Sequence, residues 1–343
     1  MKPHLLLNND RERYYTGSKC MSYNAFLNTL VGGRGVGKTT WALMYVGNRF
    51  IARNEQFIYM RRYKAEIKEF VNKHTWDSIW AGFITKGSGG GESYTISDRD
   101  NNTAGYLLTL SAQAKYKSVD FSKVTTLIFD EVFIEKSRTY YIPDEVTNFL
   151  QLLSTVQRTR TNLKVFLLSN NNSVFNPYYE YFNIPDFDYI YYNKDKSIYC
   201  ERIPINPKLL ETEMKTPLYK LTEGTSYGDY HYKNDVLRQQ KIEVVPKPNG
   251  AFYYFSFRIN RAKVVCYRVN LKNDYMIWLT CEDRRDDDNT FTLIENDAIN
   301  YFYAKRFKIK LYDFIVNSIG LKLVIFGDNK AYDVLMYMLD RLK

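Results

Sequence analysis

The chain has 343 residues, 45% of them hydrophobic, with a formal net charge of +10 and 4 cysteines. That length exceeds one ordinary domain and supplies a real core, so two domains are expected; no stretch is apolar enough to span a membrane, and no long apolar leader follows Met1. Cys20, Cys200, Cys266 and Cys281 lack CxxC spacing and the histidines are His4, His74 and His231, which speaks against a disulfide framework or a zinc site and for a reducing, intracellular compartment.

The positive balance favours a polyanionic partner. The 31 Tyr and 21 Phe can offer hydroxyls to phosphates or rings to exposed bases, although core packing accounts for any single one as well. Taken in chain order, Phe26 to Val31 is a short apolar run that reads as a strand, and Thr40 to Val46, free of Gly and Pro, reads as a helix. Between them Gly32-Gly33-Arg34-Gly35-Val36-Gly37-Lys38-Thr39 fills every slot of the phosphate-binding pattern G-x-x-x-x-G-K-[ST]. Glycines let the backbone wrap closely and aim its N–H groups at phosphates. Lys38 would reach the β- and γ-phosphates and Thr39 would offer its hydroxyl to Mg²⁺, with Thr40 completing the ATP contacts.

Gln56 to Met60 is the next strand, and it stops at Arg61-Arg62-Tyr63-Lys64. This basic patch either grips DNA phosphates or is simply solvated. Gly87 to Gly91 reads as an exposed hairpin or loop, and Lys115 and Lys117 invite the same two explanations as the basic patch. Val124 to Phe129 is β-branched and apolar, as in a strand buried on both faces, and it ends in Asp130-Glu131. An acid there holds Mg²⁺ through water, and a second acid suits the base that activates the attacking water.

A helical run, Glu145 to Leu153, precedes Arg158 and Arg160. A guanidinium from there could stabilise charge at a neighbour's γ-phosphate, or be a solvated charge. Lys164 to Leu168 is another buried strand, followed by Ser169-Asn170, a polar pair that either senses the γ-phosphate or caps a turn. Strands alternating with helices give an α/β fold with a parallel central sheet over residues 1–200, and with the P-loop and Asp130-Glu131 it is expected to be a RecA-like P-loop ATPase domain of the ASCE type. Its ligand belongs at the carboxyl ends of the strands.

Pro204, Pro207 and Pro217 make residues 201–228 read as a linker. Residues 229–343 form a smaller α+β domain, with strands at Ala251 to Ile259, Lys263 to Val269 and Tyr275 to Thr280 and helices at Glu295 to Lys305 and Lys330 to Leu342.

Several stretches together resemble one family. They are GGRGVGKT, Glu55 to Tyr63, Thr126 to Glu131 with Tyr141-Ile142-Pro143, Leu168-Ser169-Asn170, Asn176-Pro177-Tyr178 and Gly224 to Gly228. In this order they resemble the DNA packaging (encapsidation) ATPases of small podophages with terminal-protein-primed genomes. The resemblance implies a homomeric ring, pentameric in the family, that drives double-stranded DNA through a portal into an empty capsid, with ATP between subunits. It implies phosphate and Mg²⁺ binding by Lys38 and Thr39, a metal acid in Asp130 and a catalytic base in Glu131. It gives Arg158 the role of trans-acting arginine, with Arg160 close enough to compete, Lys117 that of a second trans-acting basic residue, and Lys64 a place toward the DNA channel; Arg61 and Arg62, from the same basic patch, are expected at DNA with it. It also implies action in the host cytoplasm and at the capsid's portal vertex, and family members dock on a structural packaging RNA.

Related motors carry an RNase H-like nuclease after the ATPase, whose chemistry needs carboxylates converging on two metal ions. Phe252 to Arg258 carries no acid, and Glu282-Asp283 and Asp286-Asp287-Asp288 read as a solvated run. The C-terminal domain is therefore expected to be a vestigial nuclease without cutting activity. Arg258, Arg261, Lys263 and Tyr301 to Lys308 offer it a basic, aromatic face for nucleic acid or portal. Two alternatives stand beside the motor: another RecA-like translocase or helicase, and a non-hydrolysing structural ring, which intact Lys38, Thr39, Asp130 and Glu131 disfavour.

Overall fold

The computed structural model describes residues 13–73, 82–88, 90–134, 141–170, 176–185, 187–232, 242–259, 262–272, 274–283, 289–292, 302–303 and 308–342. The chain divides into two compact units: Met1–Asn172 with Phe187–Arg238, and Ser173–Asp186 with Gln239–Lys343.

The first unit begins with a short helix α1 (Ser18–Ser22), strand β1 (Leu27–Gly32), helix α2 (Lys38–Arg53), strand β2 (Gln56–Arg61) and helix α3 (Lys64–Asn72). Strands β3 (Ile84–Ser88), β4 (Ser93–Ser97), β5 (Thr103–Thr109) and β6 (Val124–Asp130) follow, then helix α4 (Glu145–Gln157) and strand β7 (Lys164–Ser169). Helix α5 (Pro177–Phe182) belongs to the second unit. The chain returns with strands β8 (Ile190–Asn193) and β9 (Ile198–Ile203) and helices α6 (Pro207–Glu213), α7 (Pro217–Thr222) and α8 (Ser226–Tyr232).

These strands make one 9-stranded sheet in the order β3-β4-β5-β2-β6-β7-β1-β9-β8. From β5 to β9 every pairing is parallel, and antiparallel strands close both edges. The central strands β1 and β6 are buried along their whole length, as parallel strands covered on both faces must be. One strand, β7, separates the P-loop strand from the strand ending in Asp130, the arrangement expected of an ASCE-type ATPase. Helix α2 packs Ala42, Leu43, Val46 and Phe50 into the core with Tyr59, Ile128 and Phe166. It ends at Asn54, whose φ of 54° suits the left-handed position after a helix.

The proposed linker, 201–228, is instead built into the first unit. Glu201 to Ile203 pair with Leu30 to Gly32 as part of β9. Pro207 and Pro217 start helices rather than interrupt the chain. Asn206 accepts from the Lys208 N–H at 2.9 Å and Thr216 from the Tyr219 N–H at 3.3 Å. A proline just inside a capped first turn loses no helical hydrogen bond, because that N–H has no partner in the helix.

The second unit carries strands β10 (Phe252–Ile259), β11 (Ala262–Asn270), β12 (Tyr275–Thr280), β13 (Thr290–Thr292) and β14 (Phe302–Tyr303), helix α9 (Lys308–Gly320), strand β15 (Val324–Phe326) and helix α10 (Asn329–Leu342). Its sheet runs β14-β13-β10-β11-β12-β15. Three antiparallel strands, β10 to β12, with β13 and β14 added parallel beside β10, have the RNase H-like order expected of this domain, and β15 adds a sixth strand parallel to β12. Phe255, Phe257, Cys266 and Leu279 pack against Ile315 of α9 and Val334, Leu335 and Met338 of α10. Tyr337 of α10 donates to Glu180 of α5 at 2.5 Å. The helix expected at Glu295 to Lys305 is corrected in part: Phe302 and Tyr303 pair with β13, while 293–301 and 304–307 lie outside the described residues, as do Arg261 and the acidic run 286–288. Helix α9 was not anticipated. Among the described residues no helix is long and apolar enough to cross a membrane.

Candidate nucleotide site

The register of the parallel strands fixes the site. Val31 pairs with Ser169, Leu168 with Asp130, and Met60 with Phe129. The carboxyl ends of β1, β7, β6 and β2 thus bring Gly32, Ser169, Asp130 and Arg61 side by side. Ser169, Asp130 and Arg61 border a cleft of about 400 Å³ that is also lined by Arg34, Lys38, Thr39, Thr40, Glu131 and Asn170.

Between β1 and α2 the loop folds as its glycines allow. Gly37 has φ 94°, a conformation that favours glycine, and a side chain there would also crowd Tyr14, beginning 3.1 Å from its Cβ. Lys38, 7% exposed, donates from Nζ to the carbonyls of Gly32 and Gly33 at 2.8 Å each. Its ammonium therefore sits in the curve of the loop. Thr39 Oγ1 donates to Asp130 Oδ2 at 3.0 Å, joining the loop to the strand end. A hydroxyl and a carboxylate this close are hard oxygen donors that suit Mg²⁺, so the residues present fit the expected ion.

Asp130 is held from a second side by β2. Tyr59 Oη donates to Oδ2 at 2.8 Å, and the Arg61 guanidinium lies 3.4 Å from the same oxygen. Burial, and then the Asp130 charge, push the Tyr59 hydroxyl well above its usual range, so it stays a donor. Burial works against the charge of Arg61, but Tyr59, Asp130 and Glu131 outweigh it and hold the guanidinium charged. Arg61 also reaches Glu131 Oε2 at 2.7 Å. Glu131 has φ 55° and a side chain 57% exposed. Such a conformation costs on the order of 1 kcal/mol or more in a non-glycine residue and needs a surrounding that imposes it.

The structure corrects the placement of two residues expected at DNA. Arg61 lines the nucleotide cleft and pairs with its acids. Arg62, 2% exposed, makes a bidentate pair with Glu145 at 2.7 and 2.9 Å and donates to the carbonyls of Val132 and Glu131. A guanidinium so enclosed fastens α4 to the strand ends and presents no charge to a duplex. Lys64, the first residue of α3, is exposed, as is Lys117.

Ser169 is 2% exposed and its buried Oγ makes no hydrogen bond. An orphaned hydroxyl lining this cleft fits a site built to receive a polar group. Arg158 closes α4 with φ 49° and ψ −118° and is exposed. Arg160 instead donates to the carbonyls of Phe121, Ser122, Val124 and Val156. Neither arginine lines the cleft of its own chain. Sequence reasoning missed Tyr59 and Glu145, and also Glu66 and Glu69 of α3, which face the cleft. The spacing of Tyr59 and Arg61 was the available signal, since residues two apart on a strand share a face.

A family model described as Podovirus DNA encapsidation protein (Gp16) matches residues 9–320. The DNA packaging protein of Bacillus phage phi29 is 31% identical over 295 residues, covering 84% of this chain and 85% of that protein. That of Bacillus phage B103 is 32% identical over 282 residues, 81% of this chain and 84% of its own length. Among solved structures, the bacteriophage Phi-29 viral genome packaging motor assembly contains a similar chain, with a TM-score of 0.60 and 25% identity over 96% of this chain and 99% of that one. The Phi-28 gp11 DNA packaging motor shares the fold at a TM-score of 0.54 and 17% identity, over 96% and 98% of the two chains.

Proposed function

This chain belongs to the podovirus DNA encapsidation protein family, and from that premise we propose that it is the ATP-hydrolysing motor that moves double-stranded phage DNA into a preformed capsid. The observation that carries the chemistry is the hydrogen bond of 3.0 Å between Thr39 and Asp130, which joins a complete P-loop to the acid that ends β6, one strand beyond β7. When bound, ATP with Mg²⁺ would supply the phosphoanhydride and an ion that offsets the phosphate charge. The loop N–H groups and Lys38 would hold the phosphates, Thr39 and Asp130 the ion, and Ser169 and Asn170 would meet the terminal phosphate. Glu131 would take the proton from the attacking water. In the structure its carboxylate rests on Arg61 at 2.7 Å, so acting as base requires that contact to loosen.

Arg158 is the arginine supplied to the adjacent subunit's site. Its exposure and its absence from its own cleft support this, whereas the carbonyls around Arg160 hold that side chain in place. Lys117 joins Arg158 from the same neighbour, and Lys64 faces the DNA. The assembly is a pentameric ring that meets the portal from the host cytoplasm, with a structural RNA as a further partner. We further infer that the second unit does not cut DNA, a reading supported by a β10 without an acid and by the hydrogen bonds that Asp328 accepts from Thr280, Cys281 and Ala331 and Asp283 from Tyr267. Plasmid cleavage dependent on Mg²⁺ or Mn²⁺ would overturn that.

Mixing two inactive variants tests the shared site. Glu131→Gln and Arg158→Ala subunits, each nearly silent alone, should regain turnover when combined, because some interfaces then pair an intact glutamate with an intact arginine. Absence of recovery between two folded, ring-forming variants contradicts the shared site, and so does full turnover by Arg158→Ala alone.

A further inference from the structure

The two cations assigned to the adjacent subunit's site leave the first unit from separate segments. Lys117 lies in a turn ahead of β6, which the Val119 N–H closes on the Tyr116 carbonyl at 3.1 Å, and Arg158 ends α4. Both residues are exposed. Long side chains on independent segments spread over many rotamers, so bringing two of them to one phosphate requires their backbones to be fixed to each other.

Arg160 does this fixing. Its Nη1 donates to the carbonyls of Ser122 at 2.8 Å and Val124 at 2.7 Å, and its Nη2 to those of Phe121 at 3.0 Å and Val156. The first three belong to the stretch that carries the chain from Lys117 into β6. Val156 lies in the last turn of α4, just before Arg158, where a helix carbonyl has no partner of its own. A guanidinium holds its donors in a rigid planar fork, so carbonyls gathered on one group join the two segments as a single piece.

The turn that holds Arg158 is closed from both sides. The Arg160 N–H donates to the Gln157 carbonyl at 2.9 Å, and Gln157 Nε2 donates to the Arg160 carbonyl at 3.1 Å. Arg158 itself takes φ 49° and ψ −118°, a conformation that a non-glycine residue keeps only where its surroundings impose it. Two further ties run beside the clamp. Gln113, in the helical turn Leu110–Tyr116 that leads to Lys117, donates to Gln151 of α4 at 3.2 Å. Asp120 accepts from the Ser122 N–H and hydroxyl at 2.9 and 3.0 Å. Those bonds hold its carboxyl below its usual range, and the charges of Arg158 and Arg160 add to that.

We propose that Arg160 is a positioning residue for hydrolysis in the adjacent subunit: it clamps the Lys117 segment to the end of α4, so that Arg158 and Lys117 reach the neighbour as one rigid edge. This rests on the trans-acting assignment of those two residues above. Arg160 itself touches no nucleotide in this scheme, and it does not line the cleft of its own chain. Its loss therefore damages a subunit as donor to its neighbour and leaves that subunit sound as acceptor.

Subunit mixing reads that asymmetry. Arg160→Gln, which offers fewer donors without the rigid fork, should alone lose about 10²-fold in kcat at unchanged KM for ATP, as a misplacement of ~1 Å allows. Combined with Glu131→Gln subunits it should regain turnover, because it still supplies an intact acceptor glutamate. Combined with Arg158→Ala subunits it should not, because no subunit then presents the arginine correctly. If Arg160→Gln does not fold, Arg160→Lys takes its place in the same mixtures. Normal turnover by the variant alone, or recovery with Arg158→Ala, overturns the inference while the Glu131→Gln and Arg158→Ala mixture still stands for the shared site. Failure of both Arg160 variants to fold or to recover with Glu131→Gln marks the residue as merely structural and overturns it too. No recovery between Glu131→Gln and Arg158→Ala overturns the shared site and this inference with it.

Discussion

The two sheets of this protein use their acids in opposite ways. In the first unit Asp130 and Glu131 stand where β6 ends, beside the P-loop, and are contacted by Thr39, Tyr59 and Arg61. In the second unit β10, the first strand of its RNase H-like order, carries no acid, and Asp328 caps α10 while Asp283 accepts from a tyrosine. Asp130 ends the parallel strand β6 and Asp328 follows the parallel strand β15, yet Asp130 lines the P-loop cleft at the carboxyl edge of the first sheet, whereas Asp328 accepts from Thr280, Cys281 and Ala331.

Substitution at that edge should give the largest effect. Glu131→Gln is expected to lower turnover by about 10²–10⁴, the range for a positioned general base, while Asp283→Asn leaves turnover per folded molecule unchanged. A comparable loss from Asp283→Asn would erase the distinction. Next in size is the buried pair behind the edge: Arg62→Met leaves Glu145 charged and enclosed, for an expected destabilisation of about 3–5 kcal/mol in denaturant unfolding. Replacing both partners by apolar residues should recover most of it. In the second unit Asp328→Ala removes the acceptor for the Ala331 N–H (2.7 Å), and about 0.5–2 kcal/mol of stability should go with that cap.

The smallest effect comes from the far end of the first sheet. Glu55 precedes β2 and accepts from Thr125 at 2.7 Å and Arg49 at 2.6 Å. Burial raises its carboxyl, but those two partners outweigh it and hold the group below its usual range. A depressed carboxylate stabilises above the unfolded value, near about 4.3, and loses that contribution as pH falls through the folded one. The Tm difference between wild type and Glu55→Gln should therefore be present at neutral pH and shrink below about pH 4. A constant difference across that range would mean the carboxylate is not the stabilising group.

Legibility in the sequence followed the same geography. The P-loop and Asp130-Glu131 are local patterns, and each lies in the strand or turn its neighbours indicated. Tyr59 and Arg61 were not assigned to the site because their partner depends on β2 lying next to β6, a pairing between residues far apart in the chain. Arg62 was misplaced for a related reason, since its partner Glu145 sits 83 residues away. Arg158 and Arg160 are alike in sequence, and their surroundings differ only in the fold: Arg158 is exposed, while carbonyls gather around Arg160. Prolines at 207 and 217 suggested a linker because a proline that opens a helix and one that breaks it look alike until the cap is seen.

Steady-state ATP hydrolysis, with and without linear double-stranded DNA at moderate salt, tests most directly whether the carboxyl edge of the first sheet drives DNA movement. Turnover stimulated by the duplex and abolished in Lys38→Ala is the expected result. Full turnover indifferent to DNA would contradict it.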